Sequence, residues 1–171
     1  MSANAEPSTE QGMFNILFRH NLWANLRLFD ACVRLDDAQL DHSDPGTYGS
    51  IRSTLTHLMR SEERYLFFLL GQEHDRDAEP PMAELMERVR ESGQALIQVA
   101  VSIQPDTQAR VGEKAELIPA TIVLLQTIQH GSEHRTHVAT LLGQLGIIPP
   151  PLSGWDFYDE EILRVKGGAT G

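Results

Sequence analysis

Cysteine is almost missing from this chain of 171 residues: Cys32 stands alone. One thiol excludes an intramolecular disulfide and any cysteine-based zinc knuckle, and it suits a reducing, cytoplasmic setting. Positive charge is also scarce. Fourteen Lys and Arg face 24 Asp and Glu, for a formal net charge of −10 at pH 7. A surface that acidic repels phosphate backbones and anionic lipid, so neither nucleic acid nor a membrane is an expected partner. Long apolar runs are lacking. The longest, Tyr65 to Leu70, is far too short to span a bilayer. Met1 to Gly12 is polar, without a basic flank or an apolar stretch, and does not read as a signal peptide. There is no G-x-S-x-G, no P-loop, no dinucleotide-binding glycine fingerprint and no C-x-x-C.

What is present is helical periodicity, in a chain that is 41% apolar and long enough for one domain with its own core. Residues 9–35 carry Phe14, Leu17, Phe18, Trp23, Leu26, Phe29 and Val33 at three- and four-residue steps. Ser8 and Gln11 are spaced for a capping box in front of them. Trp23 is expected in the core rather than as a pocket wall. Turn signals at Asp44-Pro45-Gly46 and Tyr48-Gly49 mark a loop. Ser50 then caps a second helix, Ile51 to Leu70, which Gly71 stops.

After a polar connection, Pro80-Pro81 opens a third helix, Met82 to Val101, with Leu85, Val89, Leu96 and Val99 inward. Residues 104–118 are polar and irregular, with room for a short hairpin. Pro119 opens a fourth helix that runs to Leu145, and Pro149-Pro150-Pro151 blocks its continuation. A short last helix is expected near Asp156–Arg164. The predicted fold is all-α, a four-helix bundle over residues 9–165, with 1–8 and 166–171 as disordered tails. The loops are long enough for a crossover, which leaves the order of the helices open at this point.

Seven histidines are present: His20, His42, His57, His74, His130, His134 and His137. At about 100° per residue, His130, His134 and His137 fall within roughly 60° of one another on the fourth helix. An i, i+4 pair of imidazoles can bind one ion from a single helix. The third nitrogen must come from elsewhere. His57, between Leu55 and Leu58 on the second helix, is the best candidate, because a buried unpaired imidazole is costly and a metal takes the neutral ring. The competing reading is a hydrogen-bonded core histidine. His42 and His74 fall in predicted loops, and His20 could line the core.

His130-Gly131-Ser132-Glu133-His134 also matches H-x-x-E-H, the inverted zinc-protease signature, with Glu133 as base. The short stretch after His134 leaves little room for a peptidase's second lobe. Paired Glu-x-x-His motifs, which a di-iron bundle needs, are missing.

Three segments together resemble the DinB/YfiT-like family, bacterial four-helix bundles taken to be metalloenzymes. His20-Asn21-Leu22-Trp23-Ala24-Asn25 is similar to the family's Tyr-Asn-x-Trp-Ala-Asn. Gly49-Ser50-Ile51 through Thr54-Leu55-Thr56-His57, with Glu62 five residues on, is similar to its Gly-Ser-Ile-x-x-Thr-Leu-x-His and following Glu. His130 to Arg135, followed by Leu141-Leu142 and Gly146, is similar to its His-x-x-x-His-Arg and Leu-Leu…Gly ending. The resemblance covers about residues 10–150. It implies up-down-down-up helix order and a metal triad at His57, His130 and His134. His20 stands where the family often has an aromatic, and His137 where it often has Gln, so His137 could compete as a ligand.

Three neutral imidazoles leave coordination positions open, as catalytic metal sites do, and suit Zn, Ni or Fe. The resemblance implies a metal-dependent enzyme on a small molecule, with a low-molecular-weight thiol as candidate co-substrate and S-transfer as candidate reaction. The alternative is a non-enzymatic metal-binding stress-response bundle that dimerises. Glu62, about 140° from His57 in helical projection, is expected either behind the site or paired with Arg52, Arg60 or Arg64. Arg135 is expected to orient an anionic substrate group or to lie at the surface near Glu133. A homodimer is expected from apolar surplus on the first helix at Ile16, Leu22 and Leu28.

Overall fold

In the computed structural model, which describes residues 9–71 and 80–163, four long helices form where the periodicity places them. Helix α1 spans Thr9–Cys32. It ends three residues before the expected Leu35, because Asp36 starts a separate turn. That turn, α2 (Asp37–Leu40), is held by a reciprocal cap: Asp36 Oδ1 accepts from Gln39 N at 2.8 Å, and Gln39 Oε1 accepts from Asp36 N at 3.0 Å. At one turn, α2 is too short to show a period, so the sequence reads it as loop.

Ser50 caps α3 (Ile51–Leu70), and Gly71, at φ +69°, closes it in the left-handed conformation that only glycine adopts cheaply. Helix α4 spans Met82–Ser102. Strands β1 (Gln108–Val111) and β2 (Glu116–Pro119) then pair antiparallel, with Ala109 opposite Ile118. This is the short hairpin that the sequence leaves room for. Its Ala109 packs with Ala120 and Val123 beneath Tyr65 and Phe68. Helix α5 follows, Ala120–Gln144.

The expected last helix divides into α6 (Gly154–Phe157), capped by Ser153, and a π-helical turn at Tyr158–Leu163. Phe157 is buried against Trp23 and Ala24, and Glu160 pairs with Arg27, so this tail is fastened to α1. Ser8 of the expected capping box, His74, Arg164 and both expected tails lie outside the described residues.

Two apolar clusters divide the interior. One joins Leu28 and Phe29 with Ile51, Leu55, Leu85, Val89, Val138 and Leu141. The other joins Phe18 with Leu66, Leu96, Val99 and Leu124. The first therefore gathers the end of α1, the starts of α3 and α4 and the end of α5. The second gathers the opposite ends. That sharing of ends is compatible with up-down-down-up order. Both α1 and α3 pack on α4 and on α5. Among the described residues no helix is long and apolar enough to cross a membrane.

The apolar residues left exposed on α1 are not the set that the sequence suggests. Leu28 is fully buried in the first cluster, and Leu22 lies against Gly93 of α4. Of the three residues named for a dimer face, Ile16 alone is exposed, at 55%. Met13 and Leu17 are exposed beside it, and Val33 just past the helix end, so α1 keeps an apolar surface made of other residues than those three.

Gly93 is what lets α1 and α4 approach. A Cβ there would sit 2.5 Å from Leu22 Cδ1 and 3.1 Å from Leu22 Cβ. Rotating Leu22 relieves the first contact but not the second, so the helices must part. Gly93→Ala should destabilise by about 1–3 kcal/mol. Gly143→Ala meets nothing within 4 Å in an exposed turn of α5 and should be neutral or stabilising by up to ~1 kcal/mol. Paired thermal melts of the two variants check this contrast.

Candidate metal centre

Helices α3 and α5 lie side by side, and each turns imidazoles toward the other. His57 of α3 and His130 and His134 of α5 each bring one ring nitrogen to a common place, with these atoms all within 4.8 Å of one another. His130 Nε2 is 2.9 Å from His57 Nε2 and 3.1 Å from His134 Nε2. A ring nitrogen carries either one proton or one lone pair, so His130 Nε2 can complete a good hydrogen bond with one neighbour and not with both. A shared cation satisfies all three. Nitrogens about 2.0–2.1 Å from one ion sit roughly 3–3.4 Å apart.

Burial and mutual repulsion keep these rings uncharged. Burial first, then the His134 and His57 charges, pushes His130 down to about 4. Burial, with His57 and His137 beside it, likewise brings His134 to about 4. Burial lowers His57 as well. All three are neutral at pH 7, the form that offers lone pairs to a metal. His134 Nδ1 is buried without a hydrogen-bond partner, so the ring lacks the acceptor that usually steadies a metal-binding histidine.

Aromatic rings frame the triad. Tyr48 stacks on His57 at 4.2 Å between centroids and meets His134 edge-on at 4.8 Å. Tyr65 stands edge-on to His130 at 5.8 Å. Neither tyrosine was foreseen in this role, since Tyr48 reads as a turn residue and Tyr65 as the start of an apolar run. His137 sits 5.5 Å from the His134 ring but outside the group of converging nitrogens. His20 lies elsewhere: its Nε2 meets the Leu152 carbonyl at 2.9 Å, and its ring rests near Trp23 and Phe157. Trp23 is a core aromatic, as expected. His42 is at the surface, 3.1 Å from Gln144 Oε1. Glu133 is exposed and not part of the triad, so the inverted-protease reading loses its base.

Glu62 and Arg135 depart from the sequence reading. Glu62 pairs with none of the three arginines named for it. It is 3% exposed, with Oε1 accepting from Asn21 and Asn25 at 2.8 Å each and Oε2 accepting from the Ser92 hydroxyl at 3.0 Å. Arg135 is 6% exposed rather than a surface cation. Its guanidinium donates to Asn21 Oδ1 at 2.8 Å and Asn25 Oδ1 at 2.7 Å.

The two asparagines thus bridge an arginine and a glutamate of opposite charge. Burial raises the Glu62 pKa, and its bonds to Asn21 and Ser92 oppose that shift. Burial lowers Arg135 to about 10, against the pull of Glu62. A signal for this network was present: Asn21 and Asn25 lie between Phe18 and Leu28 on the apolar stripe of α1. Glycine is needed nearby, because a Cβ at Gly131 would fall 2.7 Å from Asn21 Oδ1 and 2.9 Å from an Arg135 nitrogen.

The DinB family model matches residues 1–164. The chain belongs to the DinB family. Among solved structures it is similar to YfiT from Bacillus subtilis, described as a probable metal-dependent hydrolase with an unusual four-helix bundle topology. The TM-score is 0.60 at 14% identity, over 86% of this chain and 94% of YfiT. At that identity the likeness speaks for the fold alone. No curated protein matches the sequence.

In this DinB-family chain, Arg135→Ala strands a buried carboxylate and two amide oxygens. A loss of about 3–5 kcal/mol is expected, read by denaturant unfolding. Acid should also weaken the metal-free protein. The triad's folded pKa values lie below the ordinary 6.5, so the unfolded chain takes up protons first. The associated stability is intact above pH 6.5 and is lost as pH falls toward 4. Melting temperatures in chelator from pH 7 to 4.5 should fall more steeply for the wild type than for a His130→Asn, His134→Asn double variant.

Proposed function

We propose that the protein is a metal-dependent enzyme acting on a small molecule, with a divalent cation, Zn, Ni or Fe, held by His57, His130 and His134. The observation that carries this reading is the convergence of three neutral ring nitrogens, one of which contacts both others. Family membership and the description of YfiT support it. A cation there would supply Lewis acidity, lowering the pKa of a thiol or water that reaches it.

The chain's own residues account for the rest. Three uncharged ligands leave the ion's charge undiminished for an incoming anion, and a three-ligand set leaves room for one. Tyr48 shields the His57 ring. The Arg135–Asn–Glu62 network holds α5 in the register that aims His130 and His134 at α3. The reaction proposed is S-transfer from a low-molecular-weight thiol. Its thiolate sulfur forms a bond to an electrophilic carbon, the leaving group departs with its electron pair, and the thiol proton passes to solvent. Hydrolysis, with water in the thiol's place, is the second reading, favoured by the description of YfiT. The cytoplasm is the proposed location.

Protein purified without added metal should carry about one ion per chain by elemental analysis. His57→Ala and His130→Ala should each lose it, whereas His137→Ala should keep it. Metal-replete protein given a thiol and an electrophile should consume thiol, and folded His134→Ala should not. If metal binds, neither thiol nor ester is consumed and His134→Ala merely melts earlier, the chain is a metal-binding module and not an enzyme.

A further inference from the structure

The buried network uses only part of the Arg135 guanidinium. Nη1 makes both of its bonds, to Asn21 and to Asn25. Among the described residues no acceptor meets Nε or Nη2. Those two nitrogens form the edge of an arginine that forks onto a pair of oxygens. The chain shows this use elsewhere: Arg88 Nε and Nη2 hold the two carboxylate oxygens of Glu63 at 2.8 and 2.7 Å. In Arg135 the same edge is left to a cavity that the residue lines.

That cavity, of about 500 Å³, lies between α1, α5 and the segment after α5. Ser132, Arg135 and Thr136 form one wall and His20 and Leu152 another, tied together by His20 Nε2 at 2.9 Å from the Leu152 carbonyl. At about 100° per residue, Ser132, Arg135, Thr136 and Ala139 each stand roughly 100° or more round α5 from both His130 and His134. No member of the triad lines the cavity. It is a separate place from the metal centre, across the helix from it.

The lining suits an oxyanion. No Asp or Glu lies in it, in a chain of net charge −10. Glu62 balances the Arg135 charge from a distance, through the asparagines, and takes none of its N–H groups. With its pKa at about 10, Arg135 is charged at pH 7. The side chain is buried, and shielding from bulk water strengthens a charge-assisted bond from its remaining donors. Ser132, exposed one turn earlier, adds a hydroxyl. Ala139, Pro150 and Leu152 offer apolar surface to the body of a small molecule.

We infer that this cavity is a second ligand site, which binds a small molecule through a carboxylate or phosphate group held in the Nε–Nη2 fork of Arg135. The inference does not depend on the triad holding a cation.

Metal-free protein, dialysed free of chelator, would be titrated at pH 7 with butyrate, methyl phosphate and, as a cationic control, butylammonium. The Arg135 Nε–H NMR signal reports binding. Butyrate or methyl phosphate should shift it saturably in the millimolar range, and butylammonium should not. The tighter of the two anions tells which group the fork takes. Removing Arg135 would undo the buried network, so the variant to use is Ser132→Glu, at an exposed position. Its carboxylate stands one turn before Arg135 and competes for the fork. Binding should weaken by roughly tenfold or more with the melting temperature held, whereas Ser132→Gln, neutral and of equal length, should stay within about threefold of wild type.

No saturable shift with either anion would overturn the inference. So would equal affinities in wild type and Ser132→Glu, which would mark an ion adsorbed outside the cavity.

Discussion

Glu62 and Arg135 bear opposite charges inside the bundle and do not touch. Asn21 and Asn25 stand between them, each donating to the carboxylate and accepting from the guanidinium. Ser92 adds the fourth helix. Burying either charge alone would cost several kcal/mol, so neither is tolerable without the other and the two bridging amides. Every one of the four long helices contributes a member, and the geometry admits few alternatives. The network therefore specifies how the helices meet, where apolar packing alone would allow sliding. Arg135 follows His134 in sequence, and Gly131 follows His130. Whatever holds that turn of α5 also aims the two imidazoles.

The long helices were legible because their signals are local. Ser50 and Gly71 bound α3 as capping rules expect, and apolar steps mark the buried sides of α3 and α4. What was not legible depended on distance. Helix α2 rests on one reciprocal cap and one buried leucine, Leu40, and leaves no period to detect. The π-helical turn after Phe157 leaves no local signal, and the docking of that ring on Trp23 is a contact between distant parts of the chain. Leu28 reads as surplus apolar surface because helical projection cannot show that α4 and α5 both press on α1.

The site divides in the same manner. Spacing places His130 and His134 on one face, and the helical setting of His57 makes it the partner to expect. The framing rings and the charge network escaped notice, since Tyr48 and Ser92 carry no pattern of their own. Glu62 shows the limit most clearly. Helical projection turns it away from His57 correctly, but the arginines nearest in sequence were the wrong partners. The right one is on another helix, reached only through side chains from a third.

Tyr48 belongs to the loop between α2 and α3, half exposed, and lies across the His57 ring. The converging nitrogens are thus supplied by helices, whereas one of the rings that frame them is supplied by a loop segment. Loops accept substitution and changes of length far more readily than packed helices do. A handful of replacements around Tyr48 could reshape what is admitted and leave the nitrogens where they are. Divergence by exchange of the doorway rather than of the machinery is open to any scaffold built this way.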